Sequence, residues 1–155
     1  MRSDGPLLRS ATDQDLSSLQ RLEDECFGDR RFRNEHLEWI LRTERALTLI
    51  EDGDGRLRGA LMLLFDGKVC RVLSVAVSRE ARRRRLGTEL MLAAEAAARE
   101  RGCTMIRLEV STDNVAAIEL YRRLEYRVDG VLPGYYSWGA DALAMHKEIA
   151  EGETP

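Results

Sequence analysis

The stretch SREARRRRLGTELM, Ser78 to Met91, sets four consecutive arginines, Arg82 to Arg85, just before Gly87 and an apolar helical pattern. These residue types in this order can do anion chemistry. A helix N-terminus carries free backbone N–H groups and a partial positive charge, so it attracts phosphate. Gly87 lacks a Cβ and lets a bulky anion approach the backbone, and arginines on the same turn add charge-assisted hydrogen bonds. A solvated basic surface, or a patch for nucleic acid, is read from the arginine run alone just as readily.

The rest of the composition narrows the choice. Net charge is −3, with 24 Lys+Arg against 27 Asp+Glu. A dedicated nucleic-acid binder draws most of its affinity from phosphate neutralisation and usually carries a basic excess. Here the positive charge is local. Cys26, Cys70 and Cys103 are odd in number, widely spaced and apolar in setting, which suits buried thiols in a reducing compartment. None lies in an electropositive motif, and no spacing of Cys or His suggests a metal. His36 and His146 stand alone and read as structural or surface residues. The N-terminal MRSDGPLL has no apolar h-region, and no run of about 18 apolar residues occurs, so a cytoplasmic protein is expected.

The elements that must position the arginine loop follow from hydrophobic period. At 155 residues the chain suits one domain, expected over 1–150, with a polar tail at 151–155. Leu7 to Ala11 reads as a short strand. Thr12 or Asp13 caps a helix with Leu16, Leu19, Leu22 and Cys26 on one stripe. A second helix is expected over Asn34 to Arg42. Strands follow at Ala46 to Ile50, Leu57 to Phe65 and Val69 to Val77, with turns at 52–55 and Asp66-Gly67. From Leu86 the helical period returns and stops at Gly102, placed to end a helix in the left-handed conformation. Met105 to Val110 alternates as a strand, Asp113 or Asn114 starts a helix to Leu124, and strands near Tyr126 to Val131 and Ala142 to Lys147 close the chain. The order β-α-α-β-β-β-α-β-α-β-β is an α/β mix.

Two later segments, LEVSTDNVAAIELYRRLEY (Leu108 to Tyr126) and YYSWGADALAM (Tyr135 to Met145), resemble the GNAT superfamily of acyl-CoA-dependent N-acetyltransferases. Within it they are most similar to the ribosomal-protein-alanine and protein N-terminal acetyltransferases. The family's phosphate loop, Arg/Gln-x-x-Gly-x-Gly/Ala after a strand, falls on Arg82 to Gly87. The resemblance covers roughly Leu57 to Ile149, several motifs occurring in order at compatible spacing. It implies a single domain with a mixed, mostly antiparallel sheet flanked by helices, and acetyl-CoA as acyl donor without a metal. Carried over by position, it implies that Val75, Ala76 and Val77 offer backbone hydrogen bonds to the pantetheine arm. Arg82, Arg83, Arg84, Arg85, Leu86, Gly87 and Thr88 would wrap the pyrophosphate, and Asn114 would bond the cofactor arm. Glu109 would be the general base and Tyr121 the general acid. Tyr135 and Tyr136 would border the acceptor amine, and Phe27 would line the same pocket. On this reading the arginines cradle a cofactor's phosphates.

Two positions depart from the family pattern. Arg85 stands where the first loop glycine is expected, and as a residue entering a helix it needs no positive φ. Glu125 stands where glycine ends the preceding helix, which implies a left-handed backbone there.

Each site residue also has a plainer reading. Ile106, Leu108 and Val110 share one face of their strand, and Met105, Arg107 and Glu109 the other. From the strand alone, Glu109 is an exposed carboxylate that Arg107 can pair. Tyr121 fits a core stripe, Asn114 a helix cap, Tyr135 and Tyr136 hairpin aromatics, and Trp39 and Trp138 packing residues. The expected function is acetyl transfer to a protein or peptide N-terminal α-amine in a ternary complex, with a small amine as the alternative acceptor. A coenzyme A-binding regulator without turnover and a nucleic-acid-binding module are the rivals of another class. No nucleic-acid or membrane partner is expected, and the protein is expected as a monomer or homodimer.

Overall fold

A computed structural model of the chain describes residues 7–30, 32–53, 55–82 and 85–149. Seven strands form one sheet in the order β1-β2-β3-β4-β5-β7-β6. They are β1 (Arg9–Ser10), β2 (Ala46–Gly53), β3 (Arg56–Asp66), β4 (Val69–Val77), β5 (Met105–Ser111), β6 (Arg127–Leu132) and β7 (Ala142–Glu148). The helices are α1 (Leu16–Phe27), α2 (Asn34–Arg42), α3 (Leu86–Glu100) and α4 (Val115–Arg123). This is the element order expected from hydrophobic period. The chain is a single α/β domain, and its backbone packing divides it into two compact units.

The first unit runs to Leu64 and takes in Leu73–Ala94. β2 pairs antiparallel with β1 (Arg9↔Ile50) and with β3 (Ala46↔Leu64 through Glu51↔Gly59). Thr12 starts the first helical segment with a capping box: its side chain accepts from Gln14 N and Asp15 answers to the Thr12 backbone. The apolar stripes of α1 and α2 meet in a cluster of Leu19, Leu22, Leu37 and Ile40 with Ile50, Met62 and Ala76 from the strands. Burial of each large aliphatic side chain here is worth roughly 1.5–3 kcal/mol. Glu23 of α1 is buried within this unit and accepts a hydrogen bond from Ser74 Oγ of β4 at 2.9 Å. Trp39 is 49% exposed on α2, so it is not the packing residue expected.

Gly59 of β3 sets the seat of α3. A Cβ there would meet Leu86 Cδ2 at 2.8 Å and Leu90 Cδ1 at 3.3 Å, so the missing side chain lets the first turns of the helix lie close to the strand.

The second unit comprises Phe65–Val72 and the chain from Glu95. β5 pairs parallel with β4 over Val69–Arg71 and Met105–Arg107, and antiparallel with β7 along its whole length. β6 pairs with β7 through an irregular register between Val128 and Gly130. The alternation of β5 is as expected: Ile106, Leu108 and Val110 are buried, with Met145, Ala142, Tyr121 and Tyr126 in the same core. The end of α3 is a left-handed turn at Gly102 (φ 79°), with Cys103 N donating to Ala98 O at 2.9 Å. Under that core Glu95 is 4% exposed, bonded by Lys147 Nζ at 3.0 Å and by the Tyr126 hydroxyl at 3.4 Å.

No helix among the described residues is long and apolar enough to cross a membrane. The expected tail at 151–155 lies outside the described residues, as do Arg83 and Arg84.

Candidate active site

The first unit holds the candidate phosphate cradle. β4 ends at Val77, Arg79–Ala81 make one 3-10 turn, and α3 begins at Leu86. Ser78 N is anchored on Arg58 O at 2.8 Å, and Arg79 N donates to Glu25 at 2.7 Å, so the strand exit is fixed from two sides. Arg82 is exposed and its Nε donates to Val77 O at 3.1 Å. Cys26 Sγ donates to the same carbonyl at 3.3 Å. Both lone pairs of that carbonyl are therefore engaged, which limits what Val77 can offer a ligand through its C=O. Val75 and Val77 are half-buried and Ala76 is buried in the core.

Arg85 is exposed, and its carbonyl accepts the helix bond from Glu89 N at 3.0 Å. Its φ is +63°, which corrects the expectation that a residue entering the helix needs no positive φ. The left-handed conformation is used there without glycine, at a cost of roughly 1–2 kcal/mol. Leu86 is buried, while Gly87 and Thr88 are half-buried in the first turn. The Ser78 hydroxyl, buried at the strand exit, has no hydrogen-bond partner among the described residues. A helix start and two exposed arginines suit a phosphate-bearing ligand. Phe27, also in this unit, packs at the end of α1 against the hydrophobic cluster.

The second unit holds the candidate proton-transfer groups. Glu109 projects from the polar face of β5 with its side chain 13% exposed, so it is not the exposed carboxylate expected from the strand alone. Its partner is not Arg107 either. Arg71 of β4 donates to Glu109 Oε1 through Nη2 at 2.8 Å and Nε at 3.3 Å, and the same Nη2 donates to the Tyr135 hydroxyl at 2.9 Å. Tyr135 in turn donates to Oε1 at 3.5 Å. Parallel pairing sets Arg71 opposite Arg107, and the long guanidinium reaches along the strands to Glu109. Burial works against the Arg71 charge, but the bonds and fields of Glu109 and Tyr135 outweigh it and raise the pKa. Arg71 was not anticipated. The one sequence signal is an arginine among the apolar residues of VCRVLSVAV, and its meaning depends on a strand 38 residues away.

The β6–β7 loop folds back on itself, Tyr136 N donating to Ala140 O and Gly134 N to the Asp141 carboxylate, and Thr112 N, just past β5, donates to Asp141 O. It carries an aromatic stack. Tyr135 meets Tyr136 edge-on at 5.0 Å, and Tyr136 stacks on Trp138 at 4.5 Å. Burial, with the nearby Tyr135, pushes the Tyr136 phenol up to about 12. Trp138, expected as packing, is 38% exposed at the surface of this stack.

Asn114 caps α4, its Oδ1 accepting from Ala117 N at 3.2 Å, so the amide N–H₂ is the end left to meet a ligand. One helix length on, Tyr121 is 7% exposed, and burial pushes its phenol up to about 12. Its ring meets Tyr126 edge-on at 5.9 Å. The helix ends as expected at a left-handed Glu125 (φ 75°), with Tyr126 N donating to Tyr121 O at 2.9 Å. That turn folds Tyr126 back on to Tyr121 and holds the phenol in place.

Comparison with known proteins gives the family and the fold. Residues 14–126 match the Acetyltransferase (GNAT) family. The chain is 32% identical over 148 residues to the N-terminal acetyltransferase A complex catalytic subunit NAA10 of Arabidopsis thaliana, across 92% of this chain and 77% of that one. The crystal structure of the ribosomal-protein-S18-alanine N-acetyltransferase from Escherichia coli has the same fold, with a TM-score of 0.85 at 22% identity over 95% of this chain and 96% of that one. Ard1 from Thermoplasma volcanium gives 0.81 at 25% identity over 95% and 99%. This chain belongs to the Acetyltransferase (GNAT) family and is an acetyl-CoA-dependent N-acetyltransferase.

Proposed function

We propose that the enzyme acetylates the N-terminal α-amine of a protein or peptide by direct transfer in a ternary complex. One observation carries the reading: Glu109 lies on the polar face of β5, held by Arg71, beside Tyr135 of an aromatic loop. The relationship to an N-terminal acetyltransferase subunit over most of both chains supports the acceptor class.

An α-amine at neutral pH is largely protonated and cannot attack a thioester until it loses a proton. Glu109 takes that proton, directly or through one water. Acetyl-CoA supplies the activated acyl group. The turn from β4 into α3, with Arg82, Arg85 and the Gly87–Thr88 backbone, would bind its phosphates. Asn114 would hold the cofactor arm with its amide, and a backbone N–H of Val75–Val77 would face the acyl oxygen. Tyr121, kept protonated by burial, would donate to the cofactor sulfur. With its pKa pushed to about 12, the phenol serves best as a strong hydrogen-bond donor there, because full transfer to a thiolate of ordinary pKa near 8.5 runs uphill. Tyr135 and Tyr136 would border the acceptor amine. Free Cys26, Cys70 and Cys103 suit a reducing, cytoplasmic setting.

The test offers acetyl-CoA with a panel of peptides free at the N-terminus and a panel of small amines, and measures released thiol. Peptides should be turned over at higher kcat/KM than any small amine. Preference for a small amine, or loss of activity on lysine-free peptides, would replace this acceptor class.

A further inference from the structure

We propose that Arg71 is a positioning residue that selects which oxygen of Glu109 takes the proton of the acceptor amine. This rests on Glu109 as the base. Both guanidinium bonds, from Nε and from Nη2, fall on Oε1, and so does the Tyr135 hydroxyl. Among the described residues, nothing donates to Oε2. The balance of the step then follows. An N–H bond of the acceptor ammonium breaks, its electron pair stays on nitrogen for the attack, and an O–H bond forms at Oε2, directly or through one water. Protonation at Oε2 leaves all three bonds to Oε1 intact, whereas protonation at Oε1 would set an O–H against the two N–H donors of the Arg71 guanidinium.

Arg71 also fixes the geometry. Its Nη2 binds the carboxylate and the Tyr135 hydroxyl together, so the base and the loop beside it share one anchor. A lysine ammonium is a point donor on a flexible stem and cannot reproduce this fork.

Other charges face the same surface and set the background. Arg107 lies two residues back on β5, opposite His146 of β7. His146 Nδ1 is 2.7 Å from Asp129 of β6. Tyr136 stands behind Tyr135, and Asp113 follows β5. These stay in place when Arg71 is changed, so a change in pH response reports the lost guanidinium.

Kinetics of the full chain test this, with acetyl-CoA and the best peptide acceptor, for Arg71→Gln, Arg71→Lys, Glu109→Gln and the double variant Arg71→Gln/Glu109→Gln. Arg71→Gln should lower kcat about tenfold or more, leave the KM for acetyl-CoA within about twofold, and move the acid limb of the kcat profile up by about one pH unit. Arg71→Lys should restore the limb but not the rate. In the double variant the loss should be no greater than in Glu109→Gln alone, since both act through one carboxylate. Melting temperature, read alongside, separates unfolding from these effects, and Arg71→Lys keeps the test decisive if the glutamine variant does not fold. A parent-like acid limb in Arg71→Gln, full rate in Arg71→Lys, or additive losses in the double variant would overturn the role of Arg71. Parent-like turnover in Glu109→Gln would instead overturn the base itself, and the role of Arg71 with it.

Discussion

Glu109 and Glu95 are built from the same parts in the same unit, yet they differ in what they leave open. Each carboxylate is held by a cation and a tyrosine hydroxyl: Arg71 and Tyr135 for Glu109, Lys147 and Tyr126 for Glu95. The Glu95 side chain is 5% exposed and both its oxygens are engaged, since Arg99 approaches Oε1 at 3.8 Å while Lys147 and Tyr126 bond Oε2. Glu109 commits one oxygen and turns toward an exposed loop. A saturated, buried carboxylate stabilises a core. A carboxylate with one oxygen left uncommitted can exchange a proton. The difference lies in the count of donors.

The widest separation should come from deleting the buried partner. Glu95→Ala strands Lys147 and the Tyr126 hydroxyl, and should cost about 3 kcal/mol of stability. Denaturant unfolding should show this while turnover per folded molecule stays within a few-fold of the parent. Glu109→Gln should reverse the pattern. We expect a fall of about a hundredfold in kcat, equivalent to about 2.7 kcal/mol of barrier, with unfolding stability near the parent's. If both variants lose the same property, the two carboxylates are not divided as structure and chemistry.

Tyr121 links the two, because it packs edge-on against Tyr126, the residue that caps Glu95. Tyr121→Phe keeps the ring contact and removes the donor, so kcat should fall about tenfold with acetyl-CoA affinity unchanged. A core tyrosine without a chemical role predicts the parent rate instead. The burial of this phenol also sets an alkaline limit. Its folded pKa, about 12, lies above the ordinary value of 10, so the folded state holds the proton more tightly. Stability from the buried neutral phenol is therefore full below pH 10 and is lost as pH rises toward 12. Burial also raises the Tyr126 phenol, which adds to the same loss. Unfolding followed from pH 9 to 12 should steepen less in Tyr121→Phe than in the parent.

The smallest effects belong to the two left-handed residues. Glu125→Gly relieves the positive φ at the end of α4 and should be neutral or stabilising by up to about 1 kcal/mol. Arg85→Gly should do the same at the start of α3, with acetyl-CoA affinity within about threefold if the backbone, and not this side chain, holds the phosphates. A tenfold loss of affinity would show that the strain at Arg85 is kept for its guanidinium.

The local features were legible because they repeat within one element. The stripe Leu16, Leu19, Leu22 and Cys26 marks α1, and the alternation of Met105 to Val110 places Glu109 on the polar face of β5, both with no long-range information. The left-handed turns at Gly102 and Glu125 follow from where helical patterns stop and, for Glu125, from the family resemblance. Arg85 escaped this logic, since no local pattern marks a left-handed residue at the start of a helix, and its φ of 63° is a property of the folded chain. Trp39 and Trp138 misled because residue type reports a tendency to be buried, while the face of α2 and the surface of the β6–β7 loop decided exposure. Which cation holds Glu109 was decided by strand pairing alone. Parallel register brings Arg71 of β4 beside β5, and the pairing of β5 with β7 puts Lys147 on the opposite face with Glu95. A one-dimensional pattern sets which face a side chain takes. Only the order of strands in the sheet sets what it meets there, because that order is chosen by packing between segments far apart in the chain.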